Sequence, residues 1–399
     1  MAVAQASIRN IVNLLTEHIV KNLSPVEEPG FLAGRAGQLL FLWCAARSVP
    51  ASVSNLQLEA LLDDLSPNLH TPYPMSFGYG LSGIAWLYEF ILNDTEYQAD
   101  FNANTDMALG DYVMSVTASD EYEYVLGLNG IAAYAARRAR HGQGVELVEK
   151  LVDKIVGRAQ FFNEQECAWP THKSSTYCLI KASTEQEFNL GLAHGVPGTL
   201  AALVALIPSI TDKSKRQNAM NTLRAGCNWL LKAQQDPELY GSYFANLVGY
   251  PAKSRLGWCY GDATIALTLF RAGLLLSEQR FTDVACKISL HASSRSPNEA
   301  MIHDAGFCHG AAGLVLIFIL LRQYYPHPKI DAVVSFWRDF VLQRFEQQGL
   351  AGFHKLKDGP DNRHFEEDSS FLSGYAGVGL CLLIADGQEP DWVDALLLA

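Results

Sequence analysis

The chain is short of positive charge, of long apolar runs and of patterned cysteine. Its 30 Lys and Arg stand against 42 Asp and Glu, a formal net charge of −12. That balance disfavours nucleic acid and anionic membrane surfaces as partners, because both select clustered cations. The longest apolar run, Ala311 to Leu321, falls short of the roughly 18 residues needed to cross a bilayer, so no membrane span is expected. The N-terminus lacks the charged, then apolar, then small-residue order of a secretory signal, which makes a cytoplasmic chain the expectation. Eight cysteines without regular spacing do not form a disulfide framework. Cys44, Cys227, Cys286 and Cys381 lie inside apolar helical stretches and read as core packing. Cys167 and Cys178 flank Trp169-Pro170-Thr171-His172 and read as two incidental thiols of a loop, with a second metal site as the alternative.

What the chain does have is one element repeated seven times. It recurs as Gly34-Arg35-Ala36-Gly37, Gly80-Leu81-Ser82-Gly83, Gly127-Leu128-Asn129-Gly130, Gly195-Val196-Pro197-Gly198, Gly261-Asp262-Ala263-Thr264, Gly310-Ala311-Ala312-Gly313 and Gly374-Tyr375-Ala376-Gly377. The first glycines are separated by 46, 47, 68, 66, 49 and 64 residues, enough for two helices per copy and, in the long intervals, insertions. Each copy is followed by a strongly apolar stretch, such as Leu314 to Leu321, which predicts a buried helix. Between copies lie amphipathic stretches, with Met220, Leu223, Cys227, Leu230 and Leu231, or Ile330, Val333, Val334, Trp337, Phe340, Val341 and Phe345, at helical spacing. The expected fold is all-α: an α/α toroid of seven inner and seven outer helices, with an N-terminal helix carrying Ile8, Ile11, Leu15 and Ile19. An open superhelix is the alternative, but its ends would need polar capping repeats and the last copy is as apolar as the middle ones. No copy could bury its inner helix alone, so residues 1–399 are expected to form a single domain, with the repeats over about 30–385.

Chemistry gathers just before the glycines. Aligned on the first glycine, the preceding residue is Ala33, Tyr79, Leu126, His194, Tyr260, His309 or Ser373, and the one before that is Leu32, Gly78, Val125, Ala193, Cys259, Cys308 or Leu372. Metal-binding and titratable groups therefore cluster in copies four to six at equivalent depth. Cys259, Cys308 and His309 make three ligands for one zinc ion, with a fourth position open. Iron and copper share these ligand types, but a soft, redox-silent site favours zinc. His194 is either a fourth ligand or an imidazole that transfers a proton.

The Trp258-Cys259-Tyr260-Gly261, Cys308-His309-Gly310 and His194-Gly195-Val196-Pro197-Gly198 segments, with the sevenfold glycine repeat, resemble the lanthionine synthetase C-like family, the lanthipeptide cyclases called LanC. The resemblance covers Gly34 to Gly377. It implies an α/α toroid holding zinc, one ion per chain, on Cys259, Cys308 and His309. It implies as substrate a precursor peptide carrying cysteines and dehydroalanine or dehydrobutyrine, which the enzyme closes into lanthionine or methyllanthionine thioether rings. His194 matches the family's acid/base histidine, Arg255 its motif arginine and Tyr260 the tyrosine after the zinc cysteine. Glu123 stands where the family usually has an aspartate. Asp262 and Thr264 stand where smaller residues are usual, which would alter the cavity wall. The chain has no H-R-D segment and no length for a kinase or lyase region, so a separate dehydratase is the expected partner. Two other readings fit part of the pattern. One is a zinc thiol-activating transferase of the prenyltransferase toroid type, for which Asp262 would be a ligand. The other is a non-catalytic relative binding zinc with glutathione or a peptide.

Overall fold

The computed structural model describes residues 2–49, 53–65, 73–92, 100–180, 186–357 and 362–399. Through them run α1 Ala2–Lys21, α2 Arg35–Ser48, α3 Asn55–Leu65, α4 Leu81–Leu92, α5 Ala103–Ser115, α6 Leu128–Arg140, α7 Val145–Gly157 and α8 Val196–Leu206. There follow α9 Lys213–Lys232, α10 Pro237–Tyr240, α11 Asp262–Leu276, α12 Gln279–Ser293, α13 Pro297–Ala300, α14 Ala311–Tyr324, α15 Pro328–Gln348 and α16 Tyr375–Ala385. The strands are few and short: β1 Gln160–Asn163, β2 Glu166–Ala168, β3 Thr171–His172, β4 Gln186–Glu187, β5 Lys355–Lys357 and β6 His364–Glu366.

Seven of these helices (α2, α4, α6, α8, α11, α14 and α16) begin at the residue after the first glycine of a repeat. They are buried nearly all round: in α14 every residue from Ala311 to Leu321 is buried, and in α16 every residue from Tyr375 to Ile384. Seven others, α1, α3, α5, α7, α9, α12 and α15, alternate buried and exposed faces at helical spacing. In α15 the buried residues are Ile330, Val333, Val334, Trp337, Val341 and Leu342. Phe340 and Phe345, expected on the same face, are only half-buried.

In five copies the second glycine has a steric cause. A Cβ at Gly37, Gly130, Gly198, Gly313 or Gly377 would fall 1.9–2.1 Å from the carbonyl oxygen six residues earlier. The fifth copy solves the turn differently. Gly261 has φ of +119°, open in practice only to glycine, and Thr264 fits at the second position with its hydroxyl donating to the Gly261 carbonyl at 3.2 Å.

The chain divides into two compact units, Met1–Pro74 with Leu256–Trp258 and Ser293–Asp391, and Met75–Arg255 with Cys259–Ala292 and Trp392–Ala399. In the first unit α14, α16 and α2 pack side by side, with α15 covering α14, α1 covering α16 and α2, and α3 covering α2. In the second, α4, α6, α8 and α11 pack in series behind α5, α7 and α9. The long repeat intervals hold hairpins: β1 pairs with β2 and β3 with β4 between α7 and α8, and β5 with β6 between α15 and α16.

The turns before the glycines are stitched to one another by their backbones. In the first unit the Trp258 N–H donates to the Cys308 carbonyl at 2.7 Å, Cys308 N–H to Leu372 at 2.8 Å, and Leu372 N–H to Leu32 at 2.9 Å. In the second, Gly78 N–H donates to Val125 at 3.0 Å, Tyr124 N–H to Ala193 at 2.9 Å, and Ala193 N–H to Cys259 at 3.3 Å. Beneath this ladder, three residues before the first glycine in every copy but the fourth, lies an aromatic layer. Phe31 and Phe371 have ring centroids 5.3 Å apart, Phe371 and Phe307 5.1 Å, Phe307 and Trp258 5.9 Å, and Phe77 and Tyr124 5.3 Å. Fully buried aromatics of this size anchor the turns, so the residues one and two places further on keep a fixed position.

Candidate active site

Three of the residues singled out in the sequence come together. One ligand atom from each of Cys259, Cys308 and His309 lies within 4.8 Å of the others, and this is the metal-capable group found among the described residues. The ladder explains why. Trp258 is bonded to Cys308 through the backbone, and Cys259 is the next residue in the chain. Gly257 permits the approach, since a Cβ there would sit 2.8 Å from the Cys308 carbonyl and 3.0 Å from the His309 Cα. Both thiols are buried, and the His309 imidazole is half-buried without a hydrogen-bond or ion-pair partner among the described residues. Two soft sulfurs and an unpartnered imidazole in one cluster suit zinc.

The second group is a carboxylate–imidazole pair. Glu123 is buried, and its Oε2 lies 2.9 Å from His194 Nδ1. The longer arm of glutamate is accommodated because it folds back onto its own turn. Oε2 also accepts the Val125 N–H at 2.9 Å, and Oε1 accepts that of Leu126. Burial pushes the Glu123 carboxyl above the usual carboxylate range, opposed by its bonds to His194, Leu126 and Val125. With Glu123 ionised, the Nδ1–H donates to it and Nε2 is left as the atom for proton transfer. His194 is thus paired with a carboxylate and is not a member of the Cys259, Cys308 and His309 group.

Tyr260 lies beside this pair, its ring centroid 5.8 Å from that of His194. Its hydroxyl accepts from Asn189 Nδ2 at 2.8 Å, and burial raises the phenol pKa far above its ordinary value, so the O–H is retained and can be donated. Arg255 is half-buried and makes no hydrogen bond or ion pair among the described residues. Its place in the repeat explains why. Six residues before the first glycine, the fourth, sixth and seventh copies have Asn189, Asp304 and Asp368, whose side-chain oxygens accept the N–H two residues on, at 2.8, 3.0 and 2.6 Å. Arg255 occupies that position in the fifth copy and cannot make this turn, which leaves its guanidinium available.

Two neighbours carry no signal in the motifs read from the sequence. Asn189 is fully buried and joins its own turn to Tyr260. Tyr177 stacks on the His194 ring, centroids 3.9 Å apart and planes 22° apart. Extending the repeat alignment to the sixth position before the glycine would have found Asn189. Tyr177 lies in an insertion and has no repeat register.

Other expectations need correction. Asp262 is fully buried, and its carboxylate accepts the N–H groups of Tyr243 and Phe244 at 2.9 and 3.1 Å. So occupied and absent from the metal group, it does not serve as the ligand a prenyltransferase-type site needs. Cys44, Cys227 and Cys381 are buried, but Cys286 is half-exposed because α12 is amphipathic. Cys167 is buried with its thiol toward the Thr222 carbonyl, and burial raises its pKa to about 12. Cys178 donates to the Ile180 carbonyl at 3.5 Å, and neither belongs to a metal-capable group among the described residues.

A sequence model described as lanthionine synthetase C-like protein matches residues 25–398. The chain belongs to this family. Among curated relatives, the nisin biosynthesis protein NisC of Lactococcus lactis subsp. lactis is 29% identical over 149 residues. That stretch is 36% of this chain and 31% of NisC, so the match spans about a third of the relative's length. Among solved structures, nisin cyclase superposes with a TM-score of 0.76 at 19% identity, covering 98% of this chain and 97% of that one. This likeness carries the fold, and the lanthionine synthetase C-like chain is an all-α protein of the α/α-toroid class, as expected from its repeats. No helix among the described residues is long and apolar enough to cross a membrane.

Proposed function

We propose that this family member is a zinc-dependent, cytoplasmic cyclase, acting as a single domain on a precursor peptide that a separate dehydratase has already dehydrated. The reaction is addition of a peptide cysteine thiol to the β-carbon of dehydroalanine or dehydrobutyrine, giving lanthionine or methyllanthionine. The observation that carries this reading is the coexistence of a Cys-Cys-His cluster with a separate, carboxylate-backed histidine.

Cys259, Cys308 and His309 would hold the zinc. When bound, zinc supplies a fourth coordination position that favours a thiol in its deprotonated form, where an unaided cysteine is only a few per cent thiolate at neutral pH. The remaining work falls to the chain's own residues. As sulfur bonds to the β-carbon, the C=C electron pair moves to the α-carbon and carbonyl, and that carbon must gain a proton. His194 gives it from Nε2, while Glu123 fixes the Nδ1–H and stabilises the imidazolium between turnovers. Tyr260 O–H and the Arg255 guanidinium are the donors for negative charge developing on the carbonyl oxygen. The thiol proton lost balances the proton gained at carbon, so peptide mass does not change.

Incubation of the zinc-loaded full chain with a synthetic peptide holding one dehydroalanine and one cysteine tests this. Loss of the alkylatable thiol at constant mass, faster than in a protein-free control, is expected. A persistent thiol, or a mass increase from a transferred group, overturns the reading.

A further inference from the structure

We propose that Tyr177 is a positioning residue that fixes the plane of the His194 ring and so determines which face of the α-carbon receives the proton. The inference rests on the cyclase reading above and deepens it. An imidazole held at one nitrogen by one carboxylate can still swing about that bond, because a hydrogen bond sets a direction and not a plane. Glu123 supplies the direction at 2.9 Å. The Tyr177 ring, parallel to within 22° at 3.9 Å, removes the swing. With both in place Nε2 points one way.

The mount of Tyr177 is built to be rigid. Glu121 accepts from the Ser175 hydroxyl and from the Thr176 N–H, both at 2.7 Å, and the Ser175 hydroxyl oxygen accepts the Tyr177 N–H at 3.1 Å. On the far side Glu187 accepts the N–H groups of Leu179 and Ile180 at 2.7 and 2.9 Å. The base of the segment is the pairing of Thr171 with Glu187 and His172 with Gln186, and the Thr171 hydroxyl lies 3.2 Å from that of Tyr122. Glu121, Tyr122 and Glu123 are consecutive, so one short stretch of chain anchors both the ring that stacks and the carboxylate that orients. Lys173, Ser174, Thr176 and Leu179 around it are exposed while Tyr177 is half-buried against His194, so the segment delivers one side chain to the site.

Protonation of a planar carbanion from either face gives two epimers, which makes stereochemistry the readout that a purely structural role would not move. The full chain, zinc-loaded, is incubated with the dehydroalanine–cysteine peptide, and the product is hydrolysed and resolved by chiral chromatography. Wild type is expected to give one epimer. Tyr177→Leu is expected to lower kcat about 30-fold with KM within about threefold, as for misplacement of a catalytic group, and to release the second epimer in readily measured amount. Tyr177→Phe, which keeps the stacking face, is expected to recover most of both losses. Should Tyr177→Leu fold poorly, Glu121→Gln loosens the mount without touching either ring and should leak the second epimer at unchanged zinc content. A Tyr177→Leu protein, or in its place a Glu121→Gln protein, with wild-type kcat and a single epimer overturns the proposal. If wild type itself forms no ring, the cyclase reading fails instead, and the two failures are distinguishable.

Discussion

The turns that open the fourth and seventh inner helices share one backbone and differ in what it carries. In each, the carbonyl six residues before the glycine accepts the first helical N–H at 2.9 Å: Asn189 from Val196, and Asp368 from Tyr375. In each, the side chain at that place also caps the N–H two residues on. The seventh copy then uses the second oxygen of Asp368 for an ion pair with Lys355 at 2.7 Å and places Ser373 before its glycine. The fourth uses the Asn189 amide on Tyr260 and places His194 there. The scaffold is constant and the chemistry is written in three or four side chains per turn. The fifth copy goes further, giving up the cap itself for Arg255.

The largest effect should come from removing what distinguishes the fourth turn. His194→Asn keeps the cap, the ladder and the zinc donors, and is expected to lower kcat by about 10²–10⁴-fold at unchanged metal content. Wild-type turnover in that variant would show the turn to be scaffold only. A smaller loss is expected from Arg255→Asn, which gives the fifth turn the amide of the fourth. Removal of a charge-stabilising donor should lower the rate by about 10–10²-fold, while the melting temperature stays equal or rises. A drop in melting temperature with full activity would reverse the interpretation of that position.

Glu123 gives a pH signature. Its carboxyl is raised by burial, so the acid limb of the rate profile is expected above the usual carboxylate range and should vanish in Glu123→Gln. The linkage has a definite sign. With a folded pKa above the unfolded one, the protonated carboxyl's stabilising contribution is present at low pH and lost as pH rises through the folded value. Glu123→Gln carries a side chain that stays neutral at every pH, so its melting temperature should gain on that of wild type as pH rises through this range. Melting curves across pH that run parallel would contradict this.

The smallest catalytic effect is expected at the seventh turn. Asp368→Ala removes a cap and an ion pair and should cost about 1–3 kcal/mol of stability, with kcat per folded protein within about twofold of wild type. A large rate loss there would mean that the turns do not divide into scaffold and chemistry.

The helices and the grouping of Cys259, Cys308 and His309 were legible in the sequence because they obey a repeat. Glycine at the first place in all seven copies and at the second in six predicts seven buried helices, and Cys259, Cys308 and His309 fall into register on those glycines. The aromatic layer from Phe31 to Phe371 and the caps at Asn189, Asp304 and Asp368 obey the same register, one and four places beyond where the alignment was read. What no register contains is harder. Strands of two to four residues, as in β1–β6, are too short for a period to declare itself. Tyr177 reaches His194 through a staple from Glu121, a contact between residues far apart in the chain, and a local one from Glu187, and neither belongs to the repeat. Glu123 is placed by the N–H groups of its own turn, which spacing alone cannot reveal.

The most direct test of the central claim is metal analysis joined to zinc-edge absorption spectroscopy on the purified full chain. One zinc per chain, bound by two sulfurs and one imidazole nitrogen and lost in Cys308→Ala while the helical signal persists, is the expected result. A fully active chain without zinc, or zinc retained undiminished in Cys308→Ala, would contradict it.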